Sequence, residues 1–196
     1  ALKKGEKYYQ SLLKISPLLE KKYFNIDKQF QVFQQIFQYL EKKGKLDQHM
    51  QGIQGFDFGC GISIPIIISK YLPCQITGID IKINNKKSDY LPLQNKIIAD
   101  GESIDYFNTS QYPWQYANNQ FDFAIASWSI NKDFTQDKRP EGIVLQRMKE
   151  FVRILKPDGI LFIRGGEEGK VNHYQLVMQA LNKLNVTLKV IHFHEF

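Results

Sequence analysis

Residues 53–80 constrain the fold of this chain more than any other segment. An apolar run over residues 53–58 leads into the turn Gly59-Cys60-Gly61, a helix-like stretch follows, and a second apolar run ends at Asp80. This order of strand, glycine turn, helix and carboxylate-ended strand is typical of a nucleoside-binding βαβ unit. Glycines allow a ligand to approach the backbone closely. Asp80, about 20 residues beyond the turn, is placed to accept hydrogen bonds from ribose hydroxyls.

Strands and helices alternate through the rest of the sequence. Apolar runs predict strands, and apolar residues at helical spacing predict helices. The predicted strands are residues 53–58, 75–80, 96–99, 121–127, 160–163 and 186–193, and the predicted helices are residues 62–72, 103–109, 141–155 and 174–184. The alternation predicts an α/β fold, a doubly wound and mostly parallel sheet of about six strands with helices on both faces.

Two details of the second half of the chain are predicted from local chemistry. Lys156-Pro157-Asp158-Gly159 has the composition of a turn, and residues 111–120 that of a loop. The helix at residues 141–155 is expected to turn one apolar face to the core, formed by Ile143, Val144, Met148, Phe151, Val152 and Leu155.

A helical extension precedes the α/β segment. Residues 6–24 have an interrupted helical pattern, and a better-marked helix is expected to have Asp27 as its N-cap and to end before Gly44. An apolar stripe on this helix is expected to pack on the core, with a roof over a ligand site as the alternative; it consists of Phe30, Phe33, Phe37 and Leu40. We therefore expect a helical extension or cap over residues 1–48 and a single α/β domain over residues 49–196.

The charge of the chain is concentrated in the extension. Of a formal net charge of +6, residues 1–50 contribute 10 lysines against 5 acidic residues, whereas the remainder has 16 basic and 15 acidic residues. The lysines of these helices are expected to form a solvent-exposed face that keeps the chain in solution. The alternatives are contact with RNA, an acidic protein or a membrane surface. The α/β core is nearly neutral, so nucleic acid is not the favoured partner.

The cysteine and hydropathy patterns indicate an intracellular protein. The two cysteines are too few for a disulfide framework or a cysteine metal site. The longest apolar run, residues 62–69, is far shorter than a membrane-spanning segment. The expected location is the cytoplasm by default, and a targeting segment upstream of Ala1 would not be visible in this sequence.

Five ordered segments resemble a known family. They are Asp57-Phe58-Gly59-Cys60-Gly61, then Asp80, then Asp100-Gly101, then residues 118–127, and finally residues 151–161 with their Lys-Pro-Asp-Gly turn. In this order they resemble the class I S-adenosylmethionine-dependent methyltransferases, nearest the small-molecule and ubiquinone-type branch. A dehydrogenase shares the βαβ unit, but its fingerprint requires glycine where this chain has Ile64.

The resemblance implies a Rossmann-like methyltransferase domain with S-adenosyl-L-methionine as its cofactor. It assigns the glycine-turn backbone to the cofactor, Asp57 to the turn and the ammonium end, and Asp80 to the ribose. It assigns Asp100 to the adenine amino group and Ser127 to the methionine moiety. The full set of cofactor-binding residues is Asp57, Phe58, Gly59, Cys60, Gly61, Asp80, Ile81, Asp100, Gly101 and Ser127.

The sequence identifies the methyl acceptor less directly than the cofactor. Trp128, Asn131 and Asp133 follow the fourth predicted strand and are the candidates to face an acceptor, Asp133 as a general base. The Asp/Asn-Pro-Pro-aromatic motif of amino-nucleobase methyltransferases is absent there. No metal site is predicted, because His192 and His194 have no third ligand nearby in sequence.

Three functions remain open at the level of sequence. The first is methyl transfer by positioning, to a small molecule. The second is a catalytically inactive scaffold subunit with a protein partner at the C-terminal sheet edge or on the basic N-terminal helices, suggested by Ser63 in place of a third glycine and by the end of the chain before a seventh strand. The third is methyl transfer to RNA or protein.

Overall fold

The computed structural model describes residues 7, 26–46, 52–60, 64–70, 72–80, 95, 98–99, 101, 103–106, 111–127, 129, 140–164, 167–168 and 171–186. In chain order its elements are α1 (Ile26–Lys42), β1 (Ile53–Phe58), α2 (Ile64–Ser69), β2 (Cys74–Asp80), β3 (Ser103–Tyr106), β4 (Phe121–Ser127), α3 (Pro140–Ile154), β5 (Leu155–Arg164), β6 (Glu167–Glu168), β7 (Val171–Asn172) and α4 (His173–Lys183). None of the described helices is both long and apolar enough to cross a bilayer.

A parallel sheet of five strands, in the order β3-β2-β1-β4-β5, forms the centre of the molecule. The strand order reverses between β1 and β4, which is the switch point where open α/β sheets bind ligands. A short antiparallel pair, β6 and β7, follows β5. The doubly wound parallel sheet predicted from the sequence is confirmed, and the predicted sixth strand, residues 186–193, lies beyond the described residues apart from its first residue.

Helices cover both faces of the sheet. The side chains of β1 alternate between the faces, as strand geometry requires. Ile53 packs with buried residues of α1 and α2, whereas Phe56 and Phe58 pack with buried residues of α3 and α4. The arrangement with helices on both faces is therefore confirmed.

The predicted aromatic helix is α1, and its apolar face packs on the sheet. Phe37 meets Phe123 of β4 edge to face at 6.2 Å, and Tyr39 meets Phe162 of β5 at 6.0 Å. The packing prediction is thus confirmed for the part of the stripe whose side chains are described. The cap prediction is wrong, because the helix already includes Ile26 and therefore contains Asp27 in its first turn. The earlier pattern at residues 6–24 lies outside the described residues, except Lys7.

The third strand is displaced from its predicted position. Ile98 and Ala99 are helical, not extended, and Ile98 is 39% exposed. The strand is Ser103–Tyr106, where a helix was expected, and it pairs with residues 77–80 of β2. Its Ile104 joins the buried core. The position of the third strand in the chain is therefore decided by pairing with β2 and by burial of Ile104, and not by the local apolar run at residues 96–99.

Two helix predictions need smaller corrections. α2 ends at Ser69, three residues before the predicted end, because Leu72 N–H turns back to Ser69 O at 2.9 Å. On α3, Val152 was expected to face the core but is 42% exposed, whereas Arg147 and Glu150 are buried. The helix predicted at residues 174–184 is confirmed as α4, with a start one residue earlier.

The loop at residues 111–120 is confirmed and is fastened to the end of α3. Arg153 donates from Nη1 to Tyr116 O at 2.7 Å and from Nη2 to Trp114 O at 3.0 Å. Glu150 accepts from Arg153 Nη2 at 2.6 Å and from Trp114 N–H at 2.7 Å. Hydrogen bonds with a charged partner are stronger than neutral ones. This network fixes the chain at the start of β4.

The predicted turn at residues 156–159 is a bulge within β5. Phe121 pairs with Leu155, and Phe123 pairs with Ile160, so β5 contains extra residues between the two pairs. A Cβ at Gly159 would lie 2.8 Å from the carbonyl oxygen of Lys156. The bulge thus requires glycine at that position.

The close approach of β1 to a neighbouring ring predicts a stability effect. A Cβ at Gly55 would lie 2.3 Å from Phe123 Cζ, and this ring is fully buried. We expect Gly55→Ala to lower the free energy of unfolding by about 1–3 kcal/mol through overpacking. Urea unfolding followed by circular dichroism measures the effect.

Gly142→Ala is the matched control for that measurement. Gly142 lies in α3, and a Cβ added there would meet open space. The same substitution there should raise stability by about 0.5–1 kcal/mol, the helical preference of alanine over glycine. Equal effects at the two sites would contradict the overpacking explanation.

Candidate functional site

The carboxyl ends of β1, β2 and β4 bring three predicted site residues into one row. Phe58, the last residue of β1, pairs with Ile79 on one side and with Ala126 on the other. Asp80 and Ser127 each follow these partners by one residue, so they flank Gly59 at the edge of the sheet. Ligands of open α/β folds bind outside the carboxyl ends of the strands. The structure therefore places Asp80, Gly59 and Ser127 where the sequence predicted a cofactor.

The glycine turn is fixed by hydrogen bonds to the neighbouring strand. The N–H groups of Gly59 and Cys60 both donate to the carbonyl oxygen of Ile79, at 2.9 Å and 3.0 Å. Gly59 has a φ of +68°, a conformation that favours glycine. Because both N–H groups are used within the protein, a ligand contact at Gly59 falls to its Cα and its carbonyl oxygen.

Asp57 is a buried carboxyl group at the centre of the site. It is 2% exposed, and its Oδ2 atom has no hydrogen-bond partner within the described part of the chain. Burial, followed by the negative charge of Asp80, raises the pKa of Asp57 from the ordinary 3.8 to about 8. A buried carboxylate is costly unless a cation or donors compensate its charge. Asp57 is thus poised to accept a positively charged ligand group.

The three polar side chains share one face of the sheet. Each polar residue lies an even number of residues after an isoleucine of its own strand: Ile53 is four before Asp57, Ile76 four before Asp80, and Ile125 two before Ser127. All three isoleucines belong to the core cluster under α1 and α2. Side chains two apart on a strand point to the same face. Asp57, Asp80 and Ser127 therefore point to the α1 and α2 side of the sheet.

These residues fit the cofactor that the resemblance implies. S-adenosylmethionine carries an ammonium group and ribose hydroxyls. The Oδ2 atom of Asp57, which has no partner among the described residues, suits the ammonium group, and Asp80 can accept from ribose hydroxyls. The donor set found at this edge thus matches the chemistry of that molecule.

Gly101 lies two residues before the strand Ser103–Tyr106, with a φ of +92°, whereas the predicted adenine contact was expected to follow the third strand. Residues before a parallel strand lie at the opposite edge from those after it. Gly101 therefore does not have the expected position after the third strand, Asp100 lies outside the described residues, and the assignment of both to the adenine stays a prediction.

Several predicted site residues cannot be placed, because they lie outside the described residues. These are Gly61, Ile81, Asp100, Trp128, Asn131 and Asp133. Cys60 is described and is buried beside Gly78, with its Sγ 3.0 Å from where a Cβ of Gly78 would lie. Across the described ranges no three His, Cys, Asp or Glu side chains group as metal ligands would.

Sequence reasoning missed two residues near the glycine turn, Ser129, which contacts it, and Arg147, which contacts Ser129. Ser129 Oγ donates to Phe58 O at 2.6 Å, and Arg147 Nη1 donates to Ser129 O at 3.2 Å. A signal for Arg147 was present, because it stands within the apolar face of a predicted helix, between Val144 and Met148. An arginine at such a position is rarely accommodated without a specific partner.

Comparisons with known proteins agree with this geometry. A family model for a methyltransferase domain matches residues 56–163, more than half of the chain. A Methanococcus maripaludis protein, proposed to be an S-adenosyl-L-methionine-dependent methyltransferase, has a similar structure with a TM-score of 0.52 and 18% sequence identity. That match covers 93% of this chain and 72% of the other chain.

A second solved structure is similar to the same degree. It is a Galdieria sulphuraria protein proposed to be a sarcosine dimethylglycine methyltransferase, with a TM-score of 0.51 and 18% identity. The match covers 80% of this chain but only 54% of the other, so this chain spans little more than half of that protein. At such identities the likeness shows the fold alone. No curated protein sequence matches the chain.

The pKa of Asp57 predicts how stability depends on pH. The folded protein retains a proton on Asp57 up to a pH of about 8, whereas the unfolded chain releases it near 3.8. The free energy of unfolding therefore contains a component that falls as pH rises between these values. We expect Asp57→Asn to remove this component, so that the variant gains stability relative to the parent as pH rises. Urea unfolding at several pH values measures the difference.

Asp158→Asn controls for the general effect of losing a carboxylate, because Asp158 is exposed in the β5 bulge. It should leave the pH dependence of the parent nearly unchanged. A parent and an Asp57→Asn variant with the same pH dependence would contradict the assigned protonation of Asp57.

Proposed function

Because the chain belongs to the class I S-adenosylmethionine-dependent methyltransferases, we propose that it transfers the cofactor's methyl group to a small molecule by SN2 displacement. One observation carries the proposal: a buried carboxyl oxygen of Asp57 without a hydrogen-bond partner among the described residues lies beside Asp80 at the Gly59 turn. A fold maintained only as a scaffold gains nothing from that arrangement, which costs stability.

The proposed roles of the residues follow from their positions. Asp80 would accept hydrogen bonds from the ribose, Asp57 would compensate the ammonium charge, and Ser127 would adjoin the methionine moiety. The cofactor supplies an activated methyl group on a sulfonium leaving group. The protein has to align the acceptor with that group and exclude water, and these effects alone supply large rate enhancements. A dedicated general base is therefore not required.

The acceptor is proposed to be a small molecule on grounds of charge. Outside its first 50 residues the chain has 16 basic and 15 acidic residues, whereas proteins that bind nucleic acid present a basic surface. The segment after β4, which begins Trp128-Ser129, lacks a base-stacking Pro-Pro motif. Trp128, Asn131 and Asp133 remain the proposed acceptor-facing residues.

Calorimetric titration with S-adenosylmethionine and S-adenosylhomocysteine tests the cofactor assignment. We expect both to bind the parent protein, and Asp80→Asn to weaken binding by about 10- to 100-fold, the loss of hydrogen bonds to a charged acceptor. Asp158→Asn, remote from the row at the carboxyl edge, should bind like the parent. No binding at high micromolar ligand by folded protein would overturn the proposal and favour the inactive scaffold.

A labelling experiment tests the acceptor class. Incubation of the protein and radiolabelled S-adenosylmethionine with a cell extract should place the methyl label in the dialysable fraction. The Asp80→Asn variant should lose this transfer. That loss distinguishes methylation by the added protein from methylation by the enzymes of the extract. Label that is retained on dialysis and released by ribonuclease or protease would instead show an RNA or protein acceptor.

A further inference from the structure

Ser129 joins the segment after β4 to the glycine turn. Its Oγ donates to Phe58 O at 2.6 Å. A Cβ on Gly59 would lie 2.5 Å from Ser129 Cβ. The Ser129 side chain therefore occupies the space that the glycine leaves. Gly59 and Ser129 pack directly against each other at the carboxyl edge of the sheet.

Arg147 of α3 holds Ser129 from the other side. Its Nη1 donates to Ser129 O at 3.2 Å, and its guanidinium carbon lies 5.1 Å from the centre of the Phe58 ring. Arginine remains charged in proteins, and Arg147 is only 1% exposed. The same side chain thus contacts both partners of the junction.

The position of Arg147 is unfavourable for stability alone. Three of its neighbours on the inner face of α3 are apolar and fully buried: Val144, Met148 and Phe151. Burying a charge is costly, and apolar residues of similar volume often stabilise a protein more than a buried ionic group does. If this contact served only to hold the fold together, an apolar residue such as methionine would serve as well at this position. The guanidinium therefore points to a requirement beyond stability.

The junction connects the proposed cofactor site to the proposed acceptor site. The glycine turn is tied to β2 through Ile79 O, one residue before Asp80. Ser129 follows β4 at the carboxyl edge of the sheet, outside which ligands of such folds bind. It contacts the glycine turn, and Arg147 contacts Ser129.

We propose that Arg147 is a positioning residue for methyl transfer, which acts through Ser129 to hold the segment after β4 at a fixed distance from the cofactor turn. The inference rests on the proposed function. Its physical basis is the steep dependence of displacement on geometry, because a misplacement of about 1 Å can cost about 100-fold in rate. A charged donor inside an apolar helix face provides a stiffer link than an apolar contact.

Hydrogen exchange measured by mass spectrometry tests the link without knowledge of the acceptor. Arg147→Met removes the donor and keeps an unbranched apolar side chain, and Arg147→Lys retains a charge and a donor. In the cofactor-free protein we expect Arg147→Met to speed exchange in the peptide that contains Ser129 by about tenfold or more, the loss of a hydrogen bond from a charged donor. Arg147→Lys should restore part of the protection.

A second readout separates positioning from a merely structural role. S-adenosylhomocysteine should slow exchange in the same peptide of the parent, because the turn and the segment are joined. Arg147→Met should still bind this probe within about threefold of the parent, since Asp57 and Asp80 are intact, but the slowing should be lost. Met148→Ala removes an adjacent buried side chain of α3 and should lower Tm while keeping the slowing.

Ser129→Ala provides an independent variant, because it removes only the hydrogen bond from Oγ to Phe58 O. It should also weaken the slowing of exchange by S-adenosylhomocysteine. The inference is overturned if Arg147→Met leaves exchange in the Ser129 peptide unchanged and S-adenosylhomocysteine still slows that exchange as it does in the parent. The proposed function would then remain intact. If Arg147→Met does not fold, unaltered slowing in Ser129→Ala overturns it. A parent that binds no S-adenosylhomocysteine in calorimetry overturns both.

Discussion

The carbonyl oxygen of Ile79 is the acceptor on which the site depends. It receives the N–H groups of both Gly59 and Cys60, so one atom of β2 determines how the chain leaves β1. The left-handed φ of Gly59 follows from that turn, and so does the space into which Ser129 packs. A change in this pair of bonds would move the turn away from Asp80. The geometry of the site is therefore set by backbone, and side chains supply its charge.

The buried carboxyl group of Asp57 lowers the stability of the folded protein, and a bound ligand can offset that loss. Its carboxyl group is buried and close to Asp80, and the folded protein accommodates it by retaining a proton. A cation bound there would allow Asp57 to ionise, so binding and proton release are linked. The stability lost to an uncompensated carboxyl group is thus recovered as affinity. Sites that bind a charged ligand often combine burial with a perturbed pKa in this way.

The sequence predicted those parts that depend on local pattern. β1, β2 and β4 are apolar runs whose burial is clear from composition, and Asp80 and the glycine turn follow from their spacing. The third strand was misplaced because Ser103–Tyr106 is selected by pairing with β2 and by burial of Ile104. Val152 was misassigned for a similar reason, since Glu150 takes an inward position to bind Arg153. Tertiary partners of this kind are not visible in the periodicity of a single segment.

Two arginines on α3 hold β4 at both of its ends. Arg153 binds the carbonyl groups of Trp114 and Tyr116 in the loop before the strand, and Arg147 binds the carbonyl of Ser129 after it. Arg153 is compensated by Glu150 on the same helix and serves the end of the sheet remote from the ligands. Arg147 serves the ligand end. Because one helix carries both contacts, a displacement of α3 would shift β4 and Ser129 together, and under the proposed function this coupling would make the helix a determinant of the distance between cofactor and acceptor.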